Sequence, residues 1–323
     1  MRRERWSTLV KIAMMGAGAV GGYYGARLAQ AGHDVSFVAR GAHAEAMLQR
    51  GLRVESELGD VDLHSAHVVT NASRIGPVDL VVVAVKLWDT ESAARAILPW
   101  MGAGTVVVSL QNGVDKDDVI AGIVGREHVL GGVTYILVHR TEPGVIVHSG
   151  RLQRILVGEL DGGRSARADG VVEAFAAGGA DAAASHDIRR DTWEKFAFLA
   201  ANSAVTAVTR ETIGVLRAHP ATRALLRDAM LEVAALARAE GIAIADDFVD
   251  GRMRFIDTLP PDGRASMAQD LLRGARLELD WLSGAVVRRA ERAGIPAPVH
   301  AVLYAALAPF AAGAPHESSE HRP

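Results

Sequence analysis

Two kinds of segment alternate along the first half of the chain. Short runs rich in valine, isoleucine and leucine fall at residues 9–15, 34–38, 80–85, 105–110 and 129–136, and stretches of helix-like mixed polarity separate them. That order predicts β-strands joined by helical crossovers, and so a parallel sheet wrapped by helices. Residues 80–85 (LVVVAV) and 105–110 (TVVVSL) are almost continuous apolar runs, as strands buried on both faces require. Around Gly144, a run on the Thr141 side, one at 145–148 and one at 153–157 predict antiparallel strands that finish the sheet.

The pattern changes near residues 185–190. From 187 to 310 the β-branched runs vanish and helical spacing takes over. Pro220 marks a helix start and Gly241 its end. Ser266 and Gln269 have capping-box spacing, and Gly294 with Pro296 and Pro298 closes the pattern. A single helix from Ser266 to about Gly294 is therefore predicted, roughly 40 Å long at about 1.5 Å per residue. On it Ser266, Asp270, Gly274 and Glu278 recur every four residues on one slowly drifting face. Gly274 would leave room for a close approach. Capping, dipole and solvated-face roles account for the other three equally well.

At 323 residues the chain has length for about two domains. The expected division is 1–185, a sheet domain; 186–312, a helical domain; and 313–323, a polar tail. Thirty-five basic against 38 acidic residues leave a formal charge of -3, which argues against nucleic acid or an anionic membrane as the main partner. The absence of cysteine excludes disulfides, thiolate metal sites and thiol nucleophiles. No apolar window approaches the length of a membrane span, and MRRERWS is not followed by a cleavage signature. A cytoplasmic protein is the expectation. P-loop, HExxH and GxSxG patterns are missing. His64 with His67, and His316 with His321, lack a tight ligand set, so no metal is expected.

One motif carries specific chemistry. Gly16-Ala17-Gly18-Ala19-Val20-Gly21 follows the first strand and opens a helix that Gly32 stops. In such a turn the first glycine permits the bend, the second lets backbone amides approach a pyrophosphate, and the third lets helix and strand pack closely. Dinucleotide binding follows, against a purely structural glycine turn. Where an NAD-preferring site would carry an acidic residue after the second strand, this chain has Arg40. A guanidinium there suits a 2′-phosphate, so NADP(H) is favoured over the alternative of a solvated arginine. Lys86 and Asn112 stand at the ends of two further strands, where open α/β sheets bind ligands, although turn chemistry and solvation also explain them.

In the helical half, Lys195 interrupts an apolar stretch running to Val208, and positions 195, 199, 202 and 203 share a face. A lysine so placed either extends to water or meets a polar cleft, with Leu199, Asn202 and Ser203 beside it.

GAGAVG, VAVK ending at Lys86, LQNG around Asn112, TWEK ending at Lys195, and SMAQD followed by LELD stand in the order and at the spacings of the ketopantoate reductase (2-dehydropantoate 2-reductase) family, which the chain resembles over residues 11–307. The resemblance implies an N-terminal Rossmann-like doubly wound α/β domain, an all-helical C-terminal domain, and NADPH-dependent reduction of a 2-oxo acid in a cleft between them, within pantothenate biosynthesis. It implies that Lys195 is the catalytic general acid and that Glu278 lies near substrate hydroxyl and cofactor. Asn112 and Lys86 match residues at the nicotinamide end, and Ser266 matches a substrate contact. An ammonium that stabilises the developing alkoxide and supplies its proton suits this chemistry.

One departure bears on the substrate. Family members that reduce ketopantoate carry asparagines four and eight residues after the lysine; here those positions hold Leu199 and Ser203, with Asn202 one place earlier. Each lost amide removes a hydrogen bond worth about 1 kcal/mol net, so a less polar 2-oxo acid is expected. An NADP(H)-binding sensor without turnover, and a hydroxy-acid dehydrogenase working oxidatively, stand as alternatives. The apolar helical half offers a surface for a homodimer.

Overall fold

The computed structural model describes residues 9–314. The MRRERWS segment, His316, His321 and most of the expected tail lie outside the described residues. The strands are β1 (Lys11–Met15), β2 (Asp34–Val38), β3 (Leu52–Ser56), β4 (Val61–Leu63), β5 (His67–Val69), β6 (Leu80–Val83), β7 (Val106–Ser109), β8 (Val129–Glu142), β9 (Val145–Glu159) and β10 (Asp181–Ala184). Among them run α1 (Ala19–Gln30), α2 (Gly41–Arg50), α3 (Thr90–Ala96), α4 (Lys116–Val124) and α5 (Ala166–Ala177). After β10 come α6 (Ile188–Thr209), α7 (Ile213–Ala218), α8 (Pro220–Ala239), α9 (Phe248–Thr258), α10 (Ser266–Leu272), α11 (Ser283–Ala293) and α12 (Pro298–Leu307). The chain separates into two compact units, one ending at Thr192 and one beginning at Trp193.

The first unit is a doubly wound α/β layer structure. Its sheet has the lateral order β4-β3-β9-β8-β7-β6-β1-β2-β5, with β10 added beside β9. β1 pairs in parallel with β2 on one side and β6 on the other, and β6 continues in parallel to β7 and β7 to β8. Side chains alternate between the faces, as the period of two requires. Ile12, Met14, Val82 and Val108 join Tyr24, Leu28, Val171 and Phe175 of α1 and α5 in one core. Ala13, Val81, Val83 and Val107 join Ala93, Ile97, Ile120 and Val124, from α3 and α4 with the residue after α3, in the other. The continuous apolar runs are thus strands covered on both sides.

The runs around Gly144 prove to be one long hairpin. β8 and β9 are antiparallel, with register irregularities at Ile136/Val138 and Arg140/Glu142. β9 continues through residues 149–152, which the sequence pattern leaves unassigned and which have no register partner on β8: Ile136 pairs with Gln153 and Val138 with His148, so these residues bulge out of the ladder. Four strands carry no usable pattern. β3, β4 and β5 are short and mix in Arg53, Glu55, Asp62 and His67; β10 is Asp-Ala-Ala-Ala, made a strand by pairing with β9. Pairing here overrides alanine's preference for helix.

The second unit is helical, with no strand among its described residues. Pro220 occupies the first turn of α8, and Gly241 follows its end at φ +80°, as the sequence predicts. α8 buries Leu226, Met230, Val233 and Leu236. Its Glu232 carboxylate accepts the Val299 and His300 backbone N–H groups at 2.7 and 2.9 Å. That is a cap from another helix, on the positive end of α12.

The single long helix from Ser266 is not formed. α10 stops at Leu272, a turn and a short 3₁₀ segment (Leu279–Trp281) follow, and α11 starts afresh at Ser283. Gly274 adopts φ +65°, outside helical backbone. Its carbonyl accepts Ala314 N–H at 2.8 Å, while Leu277 N–H donates to the Ala311 carbonyl at 2.9 Å. Residues 311–314 thus take up backbone groups that a continuous helix would have paired internally. The capping box fails as well: Ala265 is the N-cap, Ser266 is the first helical residue, and the Gln269 amide reaches the Arg264 carbonyl at 3.4 Å. Ser266 and Asp270 therefore share α10, whereas Glu278 lies in the connection beyond it and not on the same helical face.

Candidate active site

Strand order reverses around β1: the chain moves from β1 outward to β2, then returns to lay β6 on the opposite side. Crevices beyond the carboxyl ends of strands at such a reversal are where open α/β sheets bind ligands. The glycine loop leaves β1 at this point. Gly16 has φ +101°, and a Cβ there would stand 2.9 Å from Val85 Cγ1 and 3.0 Å from the Ala84 carbonyl. A Cβ on Gly21 would overlap the Gly16 carbonyl oxygen at 2.0 Å. Both glycines are therefore demanded by close packing. A Cβ on Gly18, by contrast, would meet nothing within 4 Å. The space beside the α1 N-terminus is open, so the loop fits a dinucleotide pyrophosphate. Ala17 N–H donates to the Val38 carbonyl at 3.0 Å and ties the loop to the end of β2; Ala19 and Val20 open α1.

Arg40 follows β2 and is the N-cap residue of α2. Its guanidinium donates to Asp89 Oδ2 at 2.7 Å while remaining 77% exposed. Sequence reasoning misses Asp89, because 49 residues separate the partners. Lys86 follows β6 and precedes the 3₁₀ turn Leu87–Asp89, its ammonium 5.7 Å from the centroid of the Trp88 ring. Asn112 lies just past β7, half-buried.

Two other residues fix the loops that carry Lys86 and Asn112. The Gln111 amide donates to the Val85 carbonyl at 3.0 Å and to Thr90 Oγ1 at 2.8 Å, and its Oε1 accepts from Ser109 Oγ at 3.0 Å. The buried Lys116 ammonium donates to the Ser109 and Gly132 carbonyls at 3.2 and 3.1 Å and to both Asp117 oxygens at 2.8 and 2.9 Å. Burial pushes the Asp117 carboxyl above its usual range, and Lys116 opposes that push. Nothing in the local sequence distinguishes these groups from surface polar residues.

In the second unit, α6 carries Lys195, Leu199, Asn202 and Ser203 on one face. Lys195 is half-buried and Ser203 fully buried. Asn202 Oδ1 and Ser203 Oγ are both buried without a hydrogen-bond partner among the described residues. Such atoms are rare, and each calls for an explanation. Ser266 opens α10; Asp270 pairs with Arg273 at 2.6 Å; Glu278 is 9% exposed.

His64 pairs with Asp62 at 3.3 Å, and His67 Nδ1 lies 2.9 Å from Ser36 Oγ. Among the described residues no three histidine or acidic side chains gather as a metal-ligand set, and no helix is long and apolar enough to cross a membrane.

A doubly wound α/β unit followed by a helical unit is a two-part fold found in known structures. D-mandelate dehydrogenase shares this fold, with a TM-score of 0.87 at 22% identity over 93% of this chain and 98% of its own. Residues 12–162 match the family model for ketopantoate reductase PanE/ApbA, and residues 187–311 match the model for its C-terminal part. The chain belongs to the ketopantoate reductase family. It is 34% identical to the 2-dehydropantoate 2-reductase of Halobacterium salinarum over 90% of this chain and 95% of the relative. The crystal structure of a PanE/ApbA family ketopantoate reductase from Ralstonia eutropha JMP134 superposes with a TM-score of 0.85 at 36% identity, covering 93% of this chain and 98% of that one.

Proposed function

We propose that the protein reduces a 2-oxo acid, 2-dehydropantoate or a less polar relative, to the 2-hydroxy acid with NADPH. The observation that carries this reading is the α6 face, where Lys195 shares helical spacing with Asn202 and Ser203, whose Oδ1 and Oγ are buried without a hydrogen-bond partner among the described residues. Ser203 Oγ can donate to a substrate carbonyl or carboxylate, and Asn202 Oδ1 can accept from the hydroxyl of the reduced product.

Gly16 to Gly21 hold the pyrophosphate, Arg40 takes the 2′-phosphate in exchange for Asp89, and Lys86 and Asn112 serve the nicotinamide end. NADPH supplies the hydride. Hydride addition leaves negative charge on the carbonyl oxygen, and Lys195 stabilises that charge and delivers the proton. Asn202, Ser203 and Ser266 bind the substrate, and Glu278 positions its hydroxyl. Leu199, an apolar side chain on the same face, narrows the choice toward substrates with fewer hydroxyls.

The test is NADPH consumption by purified protein over a panel of 2-oxo acids that includes 2-dehydropantoate. Turnover on at least one member is expected. A protein that binds NADPH and consumes none across the panel overturns the proposal.

A further inference from the structure

A histidine that no motif marks touches the glycine loop. His43 lies in the first turn of α2 and is 6% exposed. Its Nδ1 accepts the Gly144 backbone N–H at 2.9 Å, and its Nε2 lies 2.7 Å from the Ala17 carbonyl oxygen. With Nδ1 occupied as acceptor, the proton sits on Nε2, which donates to Ala17. Burial, with Arg140 adding to it, holds the imidazole below the usual histidine range, so this neutral tautomer persists at neutral pH.

The Ala17 carbonyl belongs to the peptide whose N–H is that of Gly18. In a planar trans peptide the two groups point in opposite directions. A carbonyl held on the His43 side therefore aims the Gly18 N–H to the other side. The restraint is needed because glycines flank Ala17 on both sides, and a peptide next to glycine reorients at little steric cost. Ala17 N–H is tied to Val38 in addition, so both peptides of Ala17 are oriented.

We infer that His43 is a positioning residue for dinucleotide binding: through the Ala17 carbonyl it fixes the direction of the Gly18 N–H that meets the cofactor's pyrophosphate. The inference rests on the proposed NADPH site and adds a residue to it from outside the glycine motif. Gly144, in the β8–β9 turn, sets the tautomer and so belongs to the same device.

Two substitutions separate this role from simple support of the hairpin. His43→Asn keeps an acceptor near Nδ1 for Gly144 and loses the reach to Ala17, whereas His43→Gln places an amide N–H near Nε2. Titration with NADPH is expected to show affinity about tenfold weaker for His43→Asn, the loss of one buried hydrogen bond, and largely recovered in His43→Gln. Unfolding midpoints of the two variants should lie close together. Equal loss in both variants, or in neither, overturns the inference while leaving the NADPH reading intact. Wild-type protein that binds no NADPH overturns that reading and the inference with it. In the unmodified protein, nitrogen-15 NMR should show His43 protonated on Nε2 and a Gly18 amide shift on NADPH addition; protonation on Nδ1 refutes the assignment whether or not the variants fold.

Discussion

The two units prepare a polar ligand site in opposite ways. In the first, the proposed cofactor site is lined by backbone at strand ends, and side chains such as Gln111, Lys116 and His43 spend their hydrogen bonds on holding that backbone still. In the second, the proposed ligand groups are side chains on a helix, and Asn202 Oδ1 and Ser203 Oγ are buried with no partner among the described residues. A loop can be fully satisfied and still present N–H groups outward. A helix has already used its backbone, so any polar group it offers a ligand must stay unpaired until the ligand arrives.

The sharpest way to break this contrast is Lys195→Ala. Loss of the proposed general acid should lower kcat by about 10²–10⁴-fold, with NADPH affinity nearly unchanged because the proposed cofactor site lies in the first unit; steady-state kinetics and cofactor titration read the two effects separately. Unaltered turnover would remove Lys195 from the mechanism.

A second test concerns how the helical unit is held together. His300 is completely buried, with Nδ1 3.2 Å from Ser283 Oγ and Nε2 3.1 Å from the Ala229 carbonyl, and burial pushes its pKa down to about 4. The unfolded chain, with an ordinary histidine pKa near 6.5, binds this proton first. Stability from this group is therefore complete above about pH 6.5, falls as the pH drops toward 4, and levels below that, a loss of roughly 3 kcal/mol in all. Urea unfolding at stepped pH should show that slope, and His300→Gln should flatten it.

Smaller effects probe the ligands themselves. Arg40→Glu should weaken NADPH binding about tenfold and narrow its preference over NADH; an unchanged preference means that another group reads the 2′-phosphate. Ser203→Ala removes a buried hydroxyl that has no partner among the described residues and should stabilise the protein by about 1 kcal/mol. If Ser203 contacts substrate, KM for the 2-oxo acid rises in the same variant. Stabilisation without any change in KM would leave the hydroxyl unexplained by substrate binding.

Much of the fold was legible because single physical demands left single patterns. The runs that became β6 and β7 could only be doubly covered strands, and Gly16 and Gly21 mark contacts that exclude a Cβ. The helical half was less legible. Between Ser266 and Gly294 local spacing favours one helix, yet the segment around Ala311 and Ala314 competes for the backbone near Gly274 and wins. Asp89, Gln111, Lys116 and His43 were invisible for a related reason: each acts through a partner supplied by another element, and only Lys116 has a partner next to it in sequence.

The sequence by itself determined the wound sheet, the helical second half, the glycine loop and the identity of a lysine on an apolar helix, because periodicity, steric exclusion and side-chain type are properties of neighbouring residues. Only the tertiary structure decided where the long helical pattern breaks, which carboxylate Arg40 meets, and that an imidazole from α2 holds the Ala17 carbonyl. Those outcomes depend on which distant groups reach a backbone donor or acceptor first, and no local pattern encodes that competition.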